Sequence, residues 1–192
     1  MKKLKHLETE LQQVDPFESP KIELEQIPSS PAIAARMIFS AESQYGDITG
    51  KVIGDFGSGP GILGIACCML GAQSVLGLEV DSEALEVAWI NVHKLGITSI
   101  DFVQLDIQTL SLNVQSNGQL PFDTVVMNPP FGTRNAGIDT VFVEQAMKYA
   151  NVIYSLHKSN TRDHFIRLAN ACGFNLEVVA EVKYVKKSIL SV

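Results

Sequence analysis

Several features that would narrow the chain to a familiar class are missing from it. There is no basic excess: 15 Lys and Arg stand against 21 Asp and Glu, for a formal charge of -6. A generic nucleic-acid binder is basic, so any phosphate contact must come from a local basic patch or a basic partner subunit. No run of about 18 apolar residues occurs, so no membrane span is expected. The lysines near the start precede no apolar stretch, so no secretory signal is expected either. Cysteine is scarce. Cys67, Cys68 and Cys172 are odd in number and follow no ligand spacing, and the four His are scattered. Neither a disulfide framework nor a metal site is expected, and the thiols read as reduced core groups of an intracellular protein. There is no internal repeat, low-complexity segment or second domain; 192 residues suit one α/β domain with a full core.

What is present is organised around Phe122-Asp-Thr-Val-Val-Met127-Asn128-Pro129-Pro130-Phe131-Gly132. Thr124 to Met127 reads as a strand buried on both faces. The prolines end it, because they cannot donate to a sheet ladder, and Pro129 keeps Asn128 out of helical angles. Asn128 therefore sits at the carboxyl end of a buried strand, where open α/β sheets bind ligands. Its carboxamide oxygen and the Pro129 carbonyl are acceptors that can hold both hydrogens of a planar amino group, and Phe131 offers a ring for stacking. A plain strand-to-loop turn is the simpler alternative.

Upstream, Leu4, Leu7, Leu11 and Val14 share one helical face behind Lys2, Lys3 and Lys5. This suits a docking helix with a solvated basic end; a phosphate-touching arm is the alternative. Residues 15–29 are irregular. Ser30 and Pro31 then open a helix with Ile33, Met37, Ile38 and Ala41 as its apolar face. A strand ending in Asp55 and Phe56 runs into Gly57-Ser-Gly59-Pro60-Gly61, and Ile62 opens a helix: a nucleotide-cofactor turn. Residues 74–80 are the next strand, with Glu79 near its end to hold ribose hydroxyls. Asp81 caps a helix with Ala84, Leu85, Ala88, Trp89 and Val92 inward, stopped by Gly96. Residues 99–105 form a third strand ending at Asp106 and Ile107, which suit an adenine ring. A helix from Asp139 is followed by strands at 152–157 and 176–182. Between these lies a helix capped by Ser159 or Asn160, with Phe165, Leu168, Ala169 and Cys172 inward. His157 reads as a hydrogen-bonded structural histidine. Arg134, Lys158 and Arg162 could steer phosphate or simply be solvated. Gly59-x-Gly61-x-x-Gly64 also matches the dinucleotide fingerprint, which keeps a nicotinamide-dependent oxidoreductase open.

Asp55-Phe-Gly57-Ser-Gly59-Pro-Gly61, Glu79, Asp106 and Asn128-Pro-Pro-Phe131, in that order, resemble a class I S-adenosylmethionine-dependent methyltransferase that acts on amino groups. Leu11-Gln-Gln-Val-Asp15, Leu24-Glu-Gln26, Ala34-Ala-Arg-Met37, Asn128-Pro-Pro-Phe-Gly-Thr133 and Tyr154-Ser-Leu-His-Lys-Ser159 further resemble the methyltransferase-like protein 5 family. That resemblance implies an α/β, Rossmann-like, mostly parallel twisted sheet with helices on both faces. It implies methylation of adenine N6 in small-subunit (18S-type) ribosomal RNA, with S-adenosylmethionine as cofactor. Gln26 and Ser29 would close over the cofactor. Gly57, Gly59, Pro60 and Ile62 would line its methionine and ribose, Glu79 would hold the ribose, and Asp106 with Ile107 the adenine. Asn128, Pro129, Pro130 and Phe131 would be the catalytic group on the target base. A small zinc-binding activator subunit would pair with the edge strand at 99–105. The setting implied is intracellular, in nucleus or nucleolus and cytoplasm.

The chain is read as one methyltransferase domain over 1–192: a cofactor-covering segment (1–48), a core (49–182) and a short tail (183–192). The resembled fold has a seventh strand between the fifth and sixth. Only eight residues follow Tyr184, so that last strand is expected to be missing, and a catalytically impaired form is an alternative. A protein glutamine-N5 methyltransferase is the other, since a glutamine amide is also a planar amino group. Ile27 stands where relatives carry an aromatic, and Glu79 where they carry Asp.

Overall fold

Five runs rich in aliphatic and β-branched residues pair in parallel into one sheet. They are β1 (Val52–Phe56), β2 (Ser74–Glu79), β3 (Ile100–Gln104), β4 (Phe122–Met127) and β5 (Ala150–Ser155), in the spatial order β3-β2-β1-β4-β5. The computed structural model describes residues 2–112 and 119–181. Ile53, Val75, Ile100 and Val126 are buried on one pleat, and Phe56, Leu78, Val125 and Met127 on the other. Burial on both pleats explains why these strands read as continuous apolar runs rather than alternating ones.

Helices α1 (Leu4–Leu11), α2 (Pro31–Ser40) and α3 (Ile62–Met69) pack together over the first pleat. Leu7 and Leu11 are fully buried there. That contributes about 2 kcal/mol each and fixes a helix too short to persist alone. The amino-terminal segment is thus a docking helix. α4 (Ser82–Leu95) lies on β2 and β3, and α5 (Ile138–Tyr149) along β5. Asp81 and Gly96 cap α4 as expected, and Ser30 accepts from the Ile33 N–H at the start of α2.

Contacts divide the chain into residues 1–157 and 158–192. In the second unit, α6 (Arg162–Ala171) buries Phe165 and Ala169, and Arg162 pairs with Glu181.

Five expectations need correction. Residues 176–181 carry no ladder, so the sixth strand does not form among the described residues; Val182 and the tail 183–192 lie outside them. A strand needs a partner's backbone, and none of the five described strands pairs with this run. In α2 the innermost residues are Ala34, Ala35 and Ile38; small side chains face α1 and α3, leaving Ile33 and Met37 half-buried. Trp89 is turned to the sheet margin, 38% exposed, with its ring edge-on to Phe102 at 5.2 Å. Ser159–Thr161 is a 3-10 turn and Thr161 the cap of α6, while Cys172 is exposed rather than core.

Candidate active site

The direction of strand addition reverses between β1 and β4, so the carboxyl ends of these neighbours flank the switch-point crevice where open α/β sheets bind ligands. Phe56 pairs with Met127, which brings Gly57 and Asn128 out of adjacent strands at one level. Glu79 ends β2 on the other side of β1, and Asp106 follows β3. Strand spacing sets these four in a row spanning roughly 14 Å from Asp106 to Asn128. An elongated ligand followed by a flat acceptor fits that row.

The glycine turn is held from below. Gly59 has φ +52, and a Cβ there would meet the Phe17 ring at 2.8 Å. Glu79 accepts from the N–H groups of Gly59 (2.8 Å), Val80 (2.9 Å) and Asp81 (3.0 Å). Burial pushes its carboxyl up and those bonds only partly offset the push. With three of about four lone-pair positions engaged, one remains for a hydroxyl. Deeper still, Asp55 accepts from the Gly64 N–H at 2.8 Å while its Oδ1 has no partner. Burial raises its carboxyl to about 7, against the Gly64 bond and with help from the charge of Glu79. Fully buried Asn91 joins the turn to the segment above it, donating to the carbonyls of Pro60 and Asp15 and accepting from the Asp15 N–H.

Residues 15–30 form a roof, fixed by polar side chains. Gln26 spends both ends of its amide there: Oε1 accepts from the Lys21 N–H at 2.7 Å, and Nε2 donates to Asp81 at 2.6 Å. Lys21 also pairs with Asp81, at 2.7 Å. Asp81 is lowered: burial pushes it up, but Lys21, Gln26 and the Glu83 N–H outweigh that. On the other side, Asn128 Nδ2 donates to Ser29 Oγ (3.0 Å) and to the Ile27 carbonyl (3.3 Å). A carbonyl can only accept, so it turns the amide nitrogen toward the roof. Asn128 Oδ1 is left buried with no partner. Between floor and roof lies a cavity of about 460 Å3, within the size range of small-ligand sites.

Residues 36–129 match the family model for ribosomal protein L11 methyltransferase (PrmA). Two relatives match over nearly the whole chain. The rRNA N(6)-adenosine-methyltransferase METTL5 of Danio rerio is 44% identical, covering 95% of this chain and 87% of that protein. The Mettl5 protein of Drosophila melanogaster is 46% identical, covering 95% and 85%. The chain belongs to the METTL5 family of rRNA N6-adenosine methyltransferases. A Pyrococcus horikoshii structure, described provisionally as an RNA methyltransferase, superposes with a TM-score of 0.79 at 31% identity, covering 90% of this chain and 82% of that one. The fold is accordingly the Rossmann-like α/β methyltransferase fold, and the oxidoreductase reading falls.

All nine residues assigned to the cofactor, Gln26, Ser29, Gly57, Gly59, Pro60, Ile62, Glu79, Asp106 and Ile107, line the one cavity, together with Asn128 and Pro130. Pro129 is buried and Phe131 half-buried, and neither lines it. Ser29 and Gln26 do more than cover: one grips Asn128, the other Asp81. Asp106 also caps a short turn by accepting from the Gln108 N–H at 2.9 Å. His157 is bonded to Ser155 at 2.7 Å, in keeping with a structural role. Sequence reasoning missed Phe17, Glu25 and Phe142, all of which line the cavity. Glu25 stood beside Gln26 in a quoted motif, but nothing in the local sequence marks Phe17.

Proposed function

We propose that the chain methylates N6 of an adenine in small-subunit ribosomal RNA, using S-adenosylmethionine. The observation that carries this reading is Asn128 Oδ1: a buried acceptor with no partner, one strand from the glycine turn. A buried carbonyl oxygen left unpaired costs free energy that an incoming amino group recovers. The residues fit the cofactor. Gly57, Gly59, Pro60 and Ile62 would line its methionine and ribose side, Glu79 has an acceptor position for a ribose hydroxyl, and Asp106 with Ile107 suits a purine.

The cofactor, when bound, supplies a methyl sulfonium already activated toward nucleophiles. The protein's share is orientation. Asn128 Oδ1 and the Pro129 carbonyl accept the two amino hydrogens of a flipped-out adenine, which directs the nitrogen lone pair at the incoming methyl and stabilises the developing charge. Phe131 replaces the stacking the base loses on leaving its helix. The released proton passes to solvent, so no side-chain base is required.

The apolar margin of the sheet points to a partner. Among the described residues β3 is an edge strand, and Val80, Trp89, Ile90 and Val103 around it are 38–56% exposed. An apolar open edge is a pairing surface, and a small zinc-binding activator subunit adding a strand at 99–105 would cover it. A basic partner would also offset the charge of -6 when RNA binds. A ribosomal RNA substrate implies an intracellular setting, in nucleus or nucleolus and cytoplasm.

The test is transfer of labelled methyl to fractionated ribosomal RNA and protein, with and without the activator. N6-methyladenosine in the small-subunit RNA is expected. Label confined to protein glutamine would overturn the substrate assignment, and no transfer despite normal cofactor binding would mark a non-catalytic form.

A further inference from the structure

The roof carries one feature the reaction as described does not use. Glu25 is in the left-handed region, φ 52 and ψ 37, which a glutamate adopts only against a steric cost. What holds it there is the loop just after the Asn128-to-Phe131 segment. The Glu25 carboxylate accepts from Thr133 N–H (3.0 Å) and Oγ1 (2.6 Å), from Arg134 N–H (2.7 Å) and from Asn135 N–H (3.3 Å). Three successive backbone donors converging on one anion form a nest. Partial burial pushes the Glu25 carboxyl up, but the Thr133 hydroxyl and the N–H groups of Arg134, Thr133 and Asn135 outweigh it and hold it at about 2. The carboxylate stays charged across neutral pH.

The same few residues run to opposite sides. Glu25 grips residues 133–135, and Ile27 and Ser29 grip Asn128, whereas Gln26 between them grips Asp81 at the foot of α4. Residues 25–29 therefore tie the end of the base site to the cofactor end of the cavity. Gly132 beside the nest has φ +68, a backbone that bends easily once the anion is gone.

We propose that Glu25 is a positioning residue for methyl transfer: seated in the 133–135 nest, it clamps the loop that continues from Phe131 to the cavity roof and sets the target base against the methyl donor. This rests on the adenine reading of the Asn128 site. Glu25 touches no reacting atom; it acts through the loop and through the roof residues that hold Asn128.

The test uses the full chain with Glu25→Gln, which keeps size and backbone cost but turns an NH2 group toward a nest of donors. Three quantities are read: the single-turnover rate on saturating RNA, the Kd for S-adenosylhomocysteine, and amide exchange at residues 133–135. The expected result is a rate lower by about tenfold to a hundredfold, the cost of slightly misplaced reactants. The Kd should stay within about threefold, and exchange should accelerate at 133–135 with protection of β1 and β4 intact. Glu25→Asp, which keeps the charge, should recover part of the rate. An unchanged rate overturns the proposal, as does a rate loss without faster exchange at the nest, or one matched by an equal loss of cofactor affinity. Failure of the adenine reading looks different: wild-type protein would then methylate no RNA, and the exchange comparison alone would show whether the clamp exists.

Discussion

The floor and the roof of the cavity are built on different principles. The floor consists of strand ends, and its residues are placed by backbone register: Phe56 against Met127, Phe56 against Leu78, Glu79 against Gln104. No single side chain sets those positions. The roof, residues 15–30, has one short turn (Ile22–Leu24) before α2 and is held mainly by polar side chains: Glu25, Gln26, Lys21, Ser29 and Asn91. A register shared by five strands is cooperative and costly to disturb. A handful of hydrogen bonds, worth about 1 kcal/mol net each, can open and close. The fixed part therefore carries the chemistry, and the part that must admit a cofactor and an RNA base is latched.

Substitutions that act on one side and not the other test that division. The largest effect is expected at the floor's edge. Asn128→Ala should lower the single-turnover rate by about 100- to 1000-fold, the range seen when one preorganised polar contact to a transition state is lost. Equilibrium titration should find S-adenosylhomocysteine still binding. Gly59→Ala comes next, because it forces a Cβ into a φ of +52 and against Phe17 of the roof. It should cost about 1–2 kcal/mol of stability and weaken cofactor binding by tenfold or more, seen by calorimetry. On the roof, Ser29→Ala removes one acceptor from Asn128 Nδ2 but leaves the Ile27 carbonyl. A loss of about threefold to tenfold in rate, one hydrogen bond's worth, is expected with the melting temperature hardly moved. If Ser29→Ala matched Asn128→Ala, the roof would be part of the chemistry and the division would fail.

The smallest effect is in pH dependence, where the two sides have opposite signs. Asp55 in the floor is raised from 3.8 to about 7. The stability it contributes is full below its unfolded value and is lost as pH rises through 7. Melting temperature should therefore fall from about pH 4 to about pH 7 and level off above, and Asp55→Asn should flatten that fall. Glu25 in the roof is lowered from 4.5 to about 2, so its contribution is present above its unfolded value and is lost only as pH falls toward 2. Glu25→Gln should leave the slope from about pH 5 to about pH 7 unchanged.

The floor was legible because its signals are local. An apolar run ending in Asn128-Pro129-Pro130 or in Gly57-Ser-Gly59 announces a buried strand, its end and the ligand-facing turn within a few residues. Seven of the nine expected cofactor residues, all but Gln26 and Ser29 of the roof, follow from that. The roof was not legible, because its partners are distant: Asn128 and Ile27 are 101 residues apart, Glu25 and Asn135 110. Nothing near Glu25 says that three N–H groups will converge on it. Trp89 failed for a related reason. Helical spacing makes it look internal, but it lies where the sheet ends, and only the strand order makes β3 an edge among the described residues.

The sequence alone determined the strand-turn-helix grammar, the glycines that only glycine can satisfy, and the chemical types waiting at each strand end. Local sterics and hydrogen-bonding capacity decide those residue by residue. Only the tertiary structure decided that the ends stand in the order Asp106, Glu79, Gly57, Asn128, and that Asn128 turns its nitrogen to Ser29 and keeps its oxygen unpaired. It also decided that a glutamate in a strained conformation locks the loop beyond. The physical reason is that a hydrogen bond between distant segments exists only once the sheet between them has fixed both ends.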